Sequence, residues 1–446
     1  MLDFVRYQQR LTGTKIGCRE GDCGACTILV GELINDKVKY HSLTSCLMPI
    51  ANAHGKHIVT IEGINLEELN LVQQSFAQEG ATQCGFCTPG FIVSLTGFCL
   101  DEKTPSYENA IDSVNGNICR CTGYKSIERA SMIVNEKLQN RNATDPILYA
   151  TQNNIIPEYF LTIASRLKSI PLFQQTISTG KKVAGGTDLY VQQHDTIVHE
   201  EIEMLNHQFE LKGILQMGNT CEMGGNAVVA DIDNSPVFQK YFKDLKQYIK
   251  LVSSTPIRNM ATIAGNFTNA SPIGDFTIFF LALDAQLLLT DHNNNRTVAL
   301  RNFYKGYKQL DKSANEIIEK IIFELPAETD YFNFEKVCKR THLDIASVNT
   351  AIYLKVEKNI IIKAGLSAGG VGPVPMYLSD SSNYLFGKEI TEELVNDLIE
   401  IAQKEISPIS DARGTETYKR LLLSQLIKAH FIKLFPHLNS TKLLAV

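Results

Sequence analysis

The pattern of hydrophobic and polar positions changes character near residue 65. Residues 1–65 contain short runs rich in Val, Ile and Thr with Gly at their ends, CTILVGE and KHIVTIEGI, which predict a small β-rich domain. Residues 66–138 have apolar positions at helical spacing, which predict four helices in LEELNLVQQSFAQEG, TPGFIVSLTGFCLDE, YENAIDSVNGNIC and YKSIERASMIVNEKL. We therefore expect a β domain followed by a helical domain.

The sequence pattern after residue 138 predicts a linker followed by two regions that contain both helices and strands. Residues 139–155 are polar and turn-rich without periodicity, as in a linker. Residues 156–330 form an α/β region, and residues 331–446 alternate strands such as NTAIYLKVE with helices such as TEELVNDLIEIAQKEI. The pattern predicts an α+β multidomain protein without internal repeats.

The composition argues against disorder and against nucleic-acid or membrane partners. The 446 residues are 44% hydrophobic and 20% charged, enough for several cores and without a signature of disorder. The net charge of −5 favours neither nucleic acid nor an anionic membrane as partner. The longest apolar stretch, FTIFFLALDAQLLL, contains Asp284 and is too short to span a bilayer, and the start MLDFVRYQQR lacks the apolar core of a signal peptide. We expect no nucleic-acid and no membrane partner.

Eight of the eleven cysteines form two quartets within the first 121 residues. The first quartet is Cys18, Cys23, Cys26 and Cys46, and the second is Cys84, Cys87, Cys119 and Cys121. The C-x4-C-x2-C spacing of the first is typical of plant-type ferredoxins, whose thiolates hold a [2Fe-2S] cluster. Gly17, Gly21 and Gly24 suit a loop that wraps tightly around sulfur. The pattern predicts a protein that carries electrons.

Zinc is the alternative for both quartets. Structural zinc sites favour two short C-x2-4-C pairs, which the first quartet matches poorly and the second matches better. Disulfide pairing would destroy either kind of site, so we expect a reducing, cytoplasmic environment. Cys99, Cys221 and Cys338 stand alone and are interpreted as small buried hydrophobic residues.

Two Gly-rich stretches after residue 180 could bind a phosphorylated ligand. KKVAGGTDLYV is a short strand, a Gly-Gly-Thr turn and then Asp188, and TPIRNMATIAGNFTNASPIGDF concentrates Gly, Asn, Thr and Ser in one loop ending at Asp275. Free amides and small polar side chains in such loops can bind a pyrophosphate, and the carboxylates can bind hydroxyls. An ordinary turn and a solvated loop are the alternatives, and no G-x-G-x-x-G fingerprint follows a strand.

These motifs, with QCGFCTPGF, NICRCTGY and SPISDARGTETYKR in the same order, resemble the small iron–sulfur/FAD subunits of bacterial xanthine dehydrogenases, in the molybdenum hydroxylase family. The resemblance covers nearly the whole chain. It implies a β-grasp ferredoxin-like domain, a four-helix [2Fe-2S] domain, an FAD domain of the vanillyl-alcohol-oxidase type and a C-terminal α+β subdomain. It also implies a separate large subunit that holds molybdopterin, in a heterotetramer or a larger hetero-oligomer.

The resemblance assigns cofactors to particular residues and leaves this chain without a catalytic residue. The first quartet would hold the [2Fe-2S] cluster nearer the flavin, and the second would hold the cluster nearer molybdenum. Gln83 matches a glutamine that hydrogen-bonds the pterin, although a surface amide is the alternative. The residues matching FAD contacts are Val183, Ala184, Gly185, Gly186, Thr187, Asp188 and Leu189 in one loop, and Thr262, Gly265, Asn266 and Asp275 in the other.

Two departures from the family pattern stand out. Related subunits begin with about twenty further residues that form an opening β-hairpin, so we expect either an upstream start or a first domain whose edge strand lacks its partners. In KRTHLDIASV, His342 and Leu343 stand where the family often has charged residues, near the expected approach of a nicotinamide nucleotide.

We interpret the chain as the electron-transfer subunit of a xanthine dehydrogenase, passing electrons from molybdopterin through two [2Fe-2S] clusters and FAD to NAD⁺. The same architecture could serve an aldehyde, nicotinate or another N-heterocycle, or use another acceptor. A self-contained NADH diaphorase and a zinc-stabilised binding protein are alternatives from other classes. Carbon monoxide dehydrogenases are also similar, but their iron–sulfur and flavin parts are separate chains.

Overall fold

A two-residue turn organises the first sheet. Asn35 and Asp36 adopt positive φ (49° and 64°), as a type I′ hairpin requires, and join β1 (Thr27–Ile34) to β2 (Lys37–Thr44). The short strand β3 (His57–Val59) pairs with the other edge of β1, giving an antiparallel sheet of order β2-β1-β3. The predicted β-rich start is therefore observed.

The computed structural model describes residues 1–141, 145–174, 178, 180–291, 293–340, 344–438 and 440–444. Their further strands are β4 (Lys181–Val183), β5 (Ile202–Met204), β6 (Ile214–Met217), β7 (Thr220–Gly224), β8 (Gln286–Thr290), β9 (Asn295–Ala299), β10 (Tyr304–Gly306), β11 (Gln309–Leu310), β12 (Ile317–Glu324), β13 (Tyr331–Val337), β14 (Val348–Glu357), β15 (Ile360–Gly369) and β16 (Met376–Tyr377). Their α-helices are α1 (Leu71–Gln78), α2 (Thr88–Cys99), α3 (Tyr107–Ser113), α4 (Lys125–Lys137), α5 (Pro146–Gln152), α6 (Ile163–Lys168), α7 (Leu189–Gln192), α8 (His194–Ile197), α9 (Val229–Asn234), α10 (Pro236–Tyr241), α11 (Leu245–Lys250), α12 (Thr255–Arg258), α13 (Ile263–Asn269), α14 (Asp275–Ala282), α15 (Leu300–Phe303), α16 (Ser379–Leu385), α17 (Glu392–Glu405), α18 (Glu416–Leu434) and α19 (Ser440–Leu444).

The chain divides into two compact units, Met1–His207 with Ser254–Ala261 and Gln208–Ser253 with Thr262–Val446. In the first unit, helices α1–α4 occupy the four segments predicted to be helical. One hydrophobic core runs from Leu29 and Val59 of the sheet through Phe76 and Phe91 of the helices to Phe160. The domain boundaries expected at residues 65 and 138 stay predictions, because this core is shared across them.

The segment expected to be a linker contains a short helix. Residues 146–152 form α5, capped by Asp145, whose side chain accepts a hydrogen bond from the Leu148 amide. Ile155 and Ile156 are fully buried in the same core. Periodicity missed this segment because a seven-residue helix has too few turns to show it.

The second unit contains two larger antiparallel sheets. Their strand orders are β6-β7-β12-β8-β9 and β13-β14-β15-β16. The long apolar stretch of the sequence becomes the buried helix α14 and the strand β8, joined by a turn in which Asp284 has φ 51°. In the described part of the chain, no helix is long and apolar enough to cross a membrane.

Candidate metal and cofactor sites

The first quartet lies at one end of the β1–β2 ladder. Thr27 of β1 pairs with Thr44 of β2, so Cys26 and Cys46 emerge at the same end of the hairpin. The four thiols form two pairs within hydrogen-bonding reach, Cys18 with Cys23 and Cys26 with Cys46. All four are free thiols. The structure therefore brings together residues that span 28 positions of sequence.

Backbone amides surround these sulfurs. The amide of Cys18 donates to Cys23 Sγ and the amide of Glu20 donates to Cys18 Sγ, each at 3.4 Å. A Cβ on Gly17 would lie 2.6 Å from Cys23 Sγ, so only glycine permits this approach. The hydrogen bond from Cys23 lowers the pKa of Cys18 to about 5, and that from Cys46 lowers the pKa of Cys26. The same two hydrogen bonds raise the pKa of Cys23 and of Cys46, so each pair favours one thiolate, the form that binds metal.

The second quartet is held between two helix starts. Cys84 and Cys87 immediately precede α2, and Cys119 and Cys121 occupy the turn before α4. Cys121 Sγ lies 3.6 Å from Cys84 Sγ, and Cys87 lies within hydrogen-bonding reach of Cys119. The amide of Phe86 lowers the pKa of Cys84, whereas burial raises the pKa of Cys87 to about 12.

Each quartet presents two thiol pairs, an arrangement that provides two ligands for each of two metal atoms. Paired thiols suit a [2Fe-2S] cluster, whereas structural zinc needs four ligands around one point.

The two ligand loops touch each other. The amide of Ile118, the residue before Cys119, donates to the carbonyl of Cys23 at 3.0 Å. The side chain of Asn117 donates to the carbonyl of Gly24 at 3.0 Å and accepts from Ser94. The sequence spacing did not predict this contact, because 95 residues separate its partners.

The quartets differ in exposure. Cys26 is 3% exposed, whereas Cys84 and Cys121 are at the surface. Gln83 is exposed beside Cys84, as both of its interpretations require. The surface residues around the second quartet also include large apolar side chains that the sequence analysis did not single out, namely Phe86, Ile118 and Tyr124. The second quartet therefore lies at an exposed surface that also contains large apolar side chains.

The first predicted flavin loop, Val183–Leu189, connects β4 to α7 in the first unit. Gly185 and Gly186 are buried, and Gly186 has φ 83°, a conformation that suits glycine. Within the described residues, the amides of Gly185, Gly186 and Thr187 meet no acceptor. Consecutive free amides in a turn form an anion-binding nest. The loop therefore fits the pyrophosphate of FAD.

The second predicted flavin loop lies in the second unit and caps two helices. Thr262 Oγ1 accepts from the amide of Gly265 at 3.1 Å, at the start of α13. Asn266 Oδ1 accepts from the amide and the hydroxyl of Thr277, at 3.1 and 3.0 Å, at the start of α14. These hydrogen bonds hold Thr262 and Gly265 at the start of α13 and connect Asn266 to the start of α14.

Asp275, at the first position of α14, already has two partners. Its carboxylate forms an ion pair with Lys336 Nζ at 2.7 Å and accepts from Asn349 Nδ2 at 2.6 Å. Lys336 is 1% exposed, and Asn349 Oδ1 is buried without a partner among the described residues. Asn349 Oδ1 lies against Gly369, where an added Cβ would be 2.2 Å away, so this acceptor marks no ligand position. Sequence reasoning missed both partners, although a polar residue within the apolar strand β14 is a signal for Asn349.

His342 and Leu343, which bear on the acceptor, lie outside the described residues. Of the three unassigned cysteines, Cys99 and Cys221 are fully buried, as expected. Cys338 is only partly buried, and its thiol donates to the carbonyl of Arg340 at 2.6 Å.

Comparison with family models gives three matches. Residues 60–132 match "[2Fe-2S] binding domain", residues 160–327 match "FAD binding domain in molybdopterin dehydrogenase", and residues 334–434 match "CO dehydrogenase flavoprotein C-terminal domain". The predicted α+β multidomain class with iron–sulfur, FAD-binding and C-terminal domains is confirmed.

Relatives agree with these matches. Xanthine dehydrogenase 1 of Arabidopsis thaliana is 27% identical over 96% of this chain and 38% of its own length. Aldehyde oxidase 1 of Macaca fascicularis is 24% identical over 96% of this chain and 37% of its own length. The chain thus spans less than two fifths of the length of these relatives.

Among solved structures, a carbon monoxide dehydrogenase from Hydrogenophaga pseudoflava is 25% identical with a TM-score of 0.55, covering 58% of this chain and 90% of that chain. That enzyme lacks the Mo-pyranopterin moiety of the molybdenum cofactor. With three family models matched in series and both quartets assembled, the chain carries a [2Fe-2S]-binding domain, an FAD-binding domain and a C-terminal flavoprotein domain, and it is similar to the iron–sulfur and FAD-binding parts of molybdenum hydroxylases.

Proposed function

We propose that this chain is the electron-transfer subunit of a xanthine dehydrogenase, which receives electrons from a partner that holds molybdopterin and delivers them to NAD⁺. Support for xanthine comes from the relative at 27% identity that bears this name. The proposal for NAD⁺ and for a hetero-oligomeric assembly comes from the sequence resemblance described above.

The contact between the two ligand loops is the observation that carries the electron-transfer role. Ile118 and Cys23 are hydrogen-bonded, so the exposed second quartet and the more buried first quartet form one continuous path within the first unit. The surface position of Cys84 and Cys121 allows a partner to approach the second quartet closely.

The residues of this chain would bind and position the cofactors. When bound, [2Fe-2S] clusters supply one-electron transfer and FAD supplies exchange between one- and two-electron carriers. The eight cysteines would hold the clusters, and the amides of residues 185–187 would bind the flavin pyrophosphate. Lys336 and Asn349 fix the Asp275 carboxylate, which would accept hydrogen bonds from ligand hydroxyls.

An aldehyde is the second candidate substrate, since a relative covering 96% of the chain is an aldehyde oxidase. The residues that contact substrate would lie in the partner in either case. Substrate choice is therefore tested on the complex rather than on this chain.

The first experiment measures the cofactor content of the anaerobically purified chain. We expect about four irons, about four acid-labile sulfides and about one FAD per chain. The chain alone should pass electrons from NADH to a dye without turning over xanthine, and the molybdopterin-bearing partner should restore xanthine-dependent reduction of NAD⁺. Zinc in place of iron would refute the proposal, and aldehyde turnover without xanthine turnover by the complex would select the second candidate.

A further inference from the structure

The stretch that follows Cys46 packs against the loop assigned to FAD. Asn52 lies in the short 3₁₀ helix Ile50–Ala53 and is 5% exposed. Its Nδ2 donates a hydrogen bond to the carbonyl of Ala184 at 3.0 Å. A buried side chain of the iron–sulfur region thus holds the backbone of the flavin loop.

The neighbouring backbone supports the same loop. A Cβ on Gly186 would lie 3.0 Å from the carbonyl oxygen of Leu47 and from the ring of Pro49, closer than most Cβ contacts. Ala51 packs with Val183 in one apolar cluster. The residues between Cys46 and Asn52 therefore form one wall of the loop.

The hydrogen bond from Asn52 to Ala184 determines the direction of the next backbone amide. The carbonyl of Ala184 and the amide of Gly185 belong to one planar trans peptide and point in opposite directions. Holding the carbonyl therefore fixes the direction of the Gly185 amide, the first of the three amides without an acceptor among the described residues.

We propose that Asn52 is a positioning residue for FAD, which sets the direction of the Gly185 amide toward the flavin pyrophosphate. This inference rests on the proposed function, since it requires FAD at this loop. Asn52 Oδ1 is buried without a partner in the described part of the chain, so Nδ2 alone holds the loop.

The test uses FAD-free full-length protein with its clusters intact, titrated with FAD and followed by flavin fluorescence. Asn52→Ala removes the donor and leaves a buried carbonyl unpaired, so we expect about tenfold weaker FAD binding. Asn52→Asp keeps the shape but cannot donate when ionised. Because burial raises the pKa of such a carboxyl, its FAD affinity should recover as the pH falls from 8 to 5 and the protonated carboxyl donates.

Asn70→Ala is the matched control, because Asn70 is 1% exposed in the same unit and caps α1. It should lower stability without changing the dissociation constant of FAD. Unchanged FAD binding in Asn52→Ala, equal weakening in Asn70→Ala, or no recovery of Asn52→Asp at low pH would overturn the inference. If Asn52→Ala does not fold, the pH profile of Asn52→Asp decides. Failure of the wild-type chain to bind FAD would instead refute the proposed function.

Discussion

The amide of Ile118 donates a hydrogen bond to the carbonyl oxygen of Cys23 across 3.0 Å. Each partner belongs to the loop of a different cysteine quartet. The loops have separate anchors, since one continues into β1 and the other into α4. The loops are in contact, and because their anchors differ we expect each to keep its thiols in place without the other.

Cys119→Ser tests this independence. We expect the reduced protein to lose one of two paramagnetic signals, because the substitution removes one ligand of the second quartet only. Electron paramagnetic resonance of the reduced protein gives the answer, with Cys338→Ser as the control that changes neither signal. Loss of both signals with FAD retained would contradict the assignment of the quartets to separate sites.

Asn117→Ala tests the junction between the loops. Asn117 donates to the carbonyl of Gly24 and accepts from Ser94 Oγ at 2.7 Å, both buried contacts. Its removal should lower the free energy of unfolding by about 1–3 kcal/mol and weaken the magnetic splitting between the two reduced centres. The exposed Asn153→Ala should change neither quantity. An unchanged splitting in a destabilised Asn117→Ala protein would show that the junction does not set the separation of the centres.

Asp275→Ala should act on stability and on FAD together. It leaves the buried Lys336 without its carboxylate, which should cost about 3 kcal/mol of unfolding free energy. The double variant Asp275→Ala/Lys336→Met removes the unpaired charge and should regain stability, while FAD binding stays weakened. Urea unfolding and FAD titration separate the two effects. Wild-type FAD affinity in the double variant would make Asp275 a structural residue only.

His430 should make the second unit sensitive to acid. It is fully buried, Asn333 Nδ2 donates to its Nδ1, and its Nε2 proton is therefore directed to Thr350 Oγ1. Burial, with a smaller effect of Lys433, lowers the pKa of His430 to about 3. The unfolded chain binds this proton near pH 6.5, so the stability that the neutral imidazole contributes is complete above that pH and is lost as the pH falls toward 3.

The expected loss is about 1.4 kcal/mol per pH unit, or about 2 kcal/mol between pH 6.5 and pH 5. Urea unfolding of the wild type and of His430→Gln at both pH values measures it, because Gln keeps hydrogen-bonding groups without titrating. An equal pH dependence in both proteins would assign the effect to other groups.

Gln83→Ala tests the partner surface. If Gln83 contacts the pterin of the partner, the substitution should slow the reduction of the clusters by xanthine in the complex and leave the transfer from NADH to a dye unchanged. Stopped-flow absorbance separates the two reactions. Gln78→Ala, at an exposed glutamine of α1, is the control. Equal slowing of both reactions by Gln83→Ala would exclude a specific role at the partner surface.

Local sequence patterns predicted the helices, the strands and the cysteine motifs. They did not predict the contacts between residues that are distant in sequence. The spacing of Cys18, Cys23 and Cys26 identifies a site because all three lie on one loop. By contrast, Lys336 reaches Asp275 across 61 residues and Asn52 reaches Ala184 across 132. Neither pair has a periodicity that a single sequence can display, since only the packing of separate elements brings the side chains together.

The segment between Cys46 and Asn52, which forms one wall of the flavin loop, also limits how the length of related sequences can change. Five residues separate the two, and they have to satisfy a thiol at one end and a backbone carbonyl at the other. Substitutions within the stretch can be accommodated, but an insertion or deletion would move one end relative to the other. We therefore expect the length of this stretch to be as restricted in evolution as the cysteines themselves. Single-residue insertions through residues 47–51 should therefore be tolerated less well than insertions in the neighbouring loops.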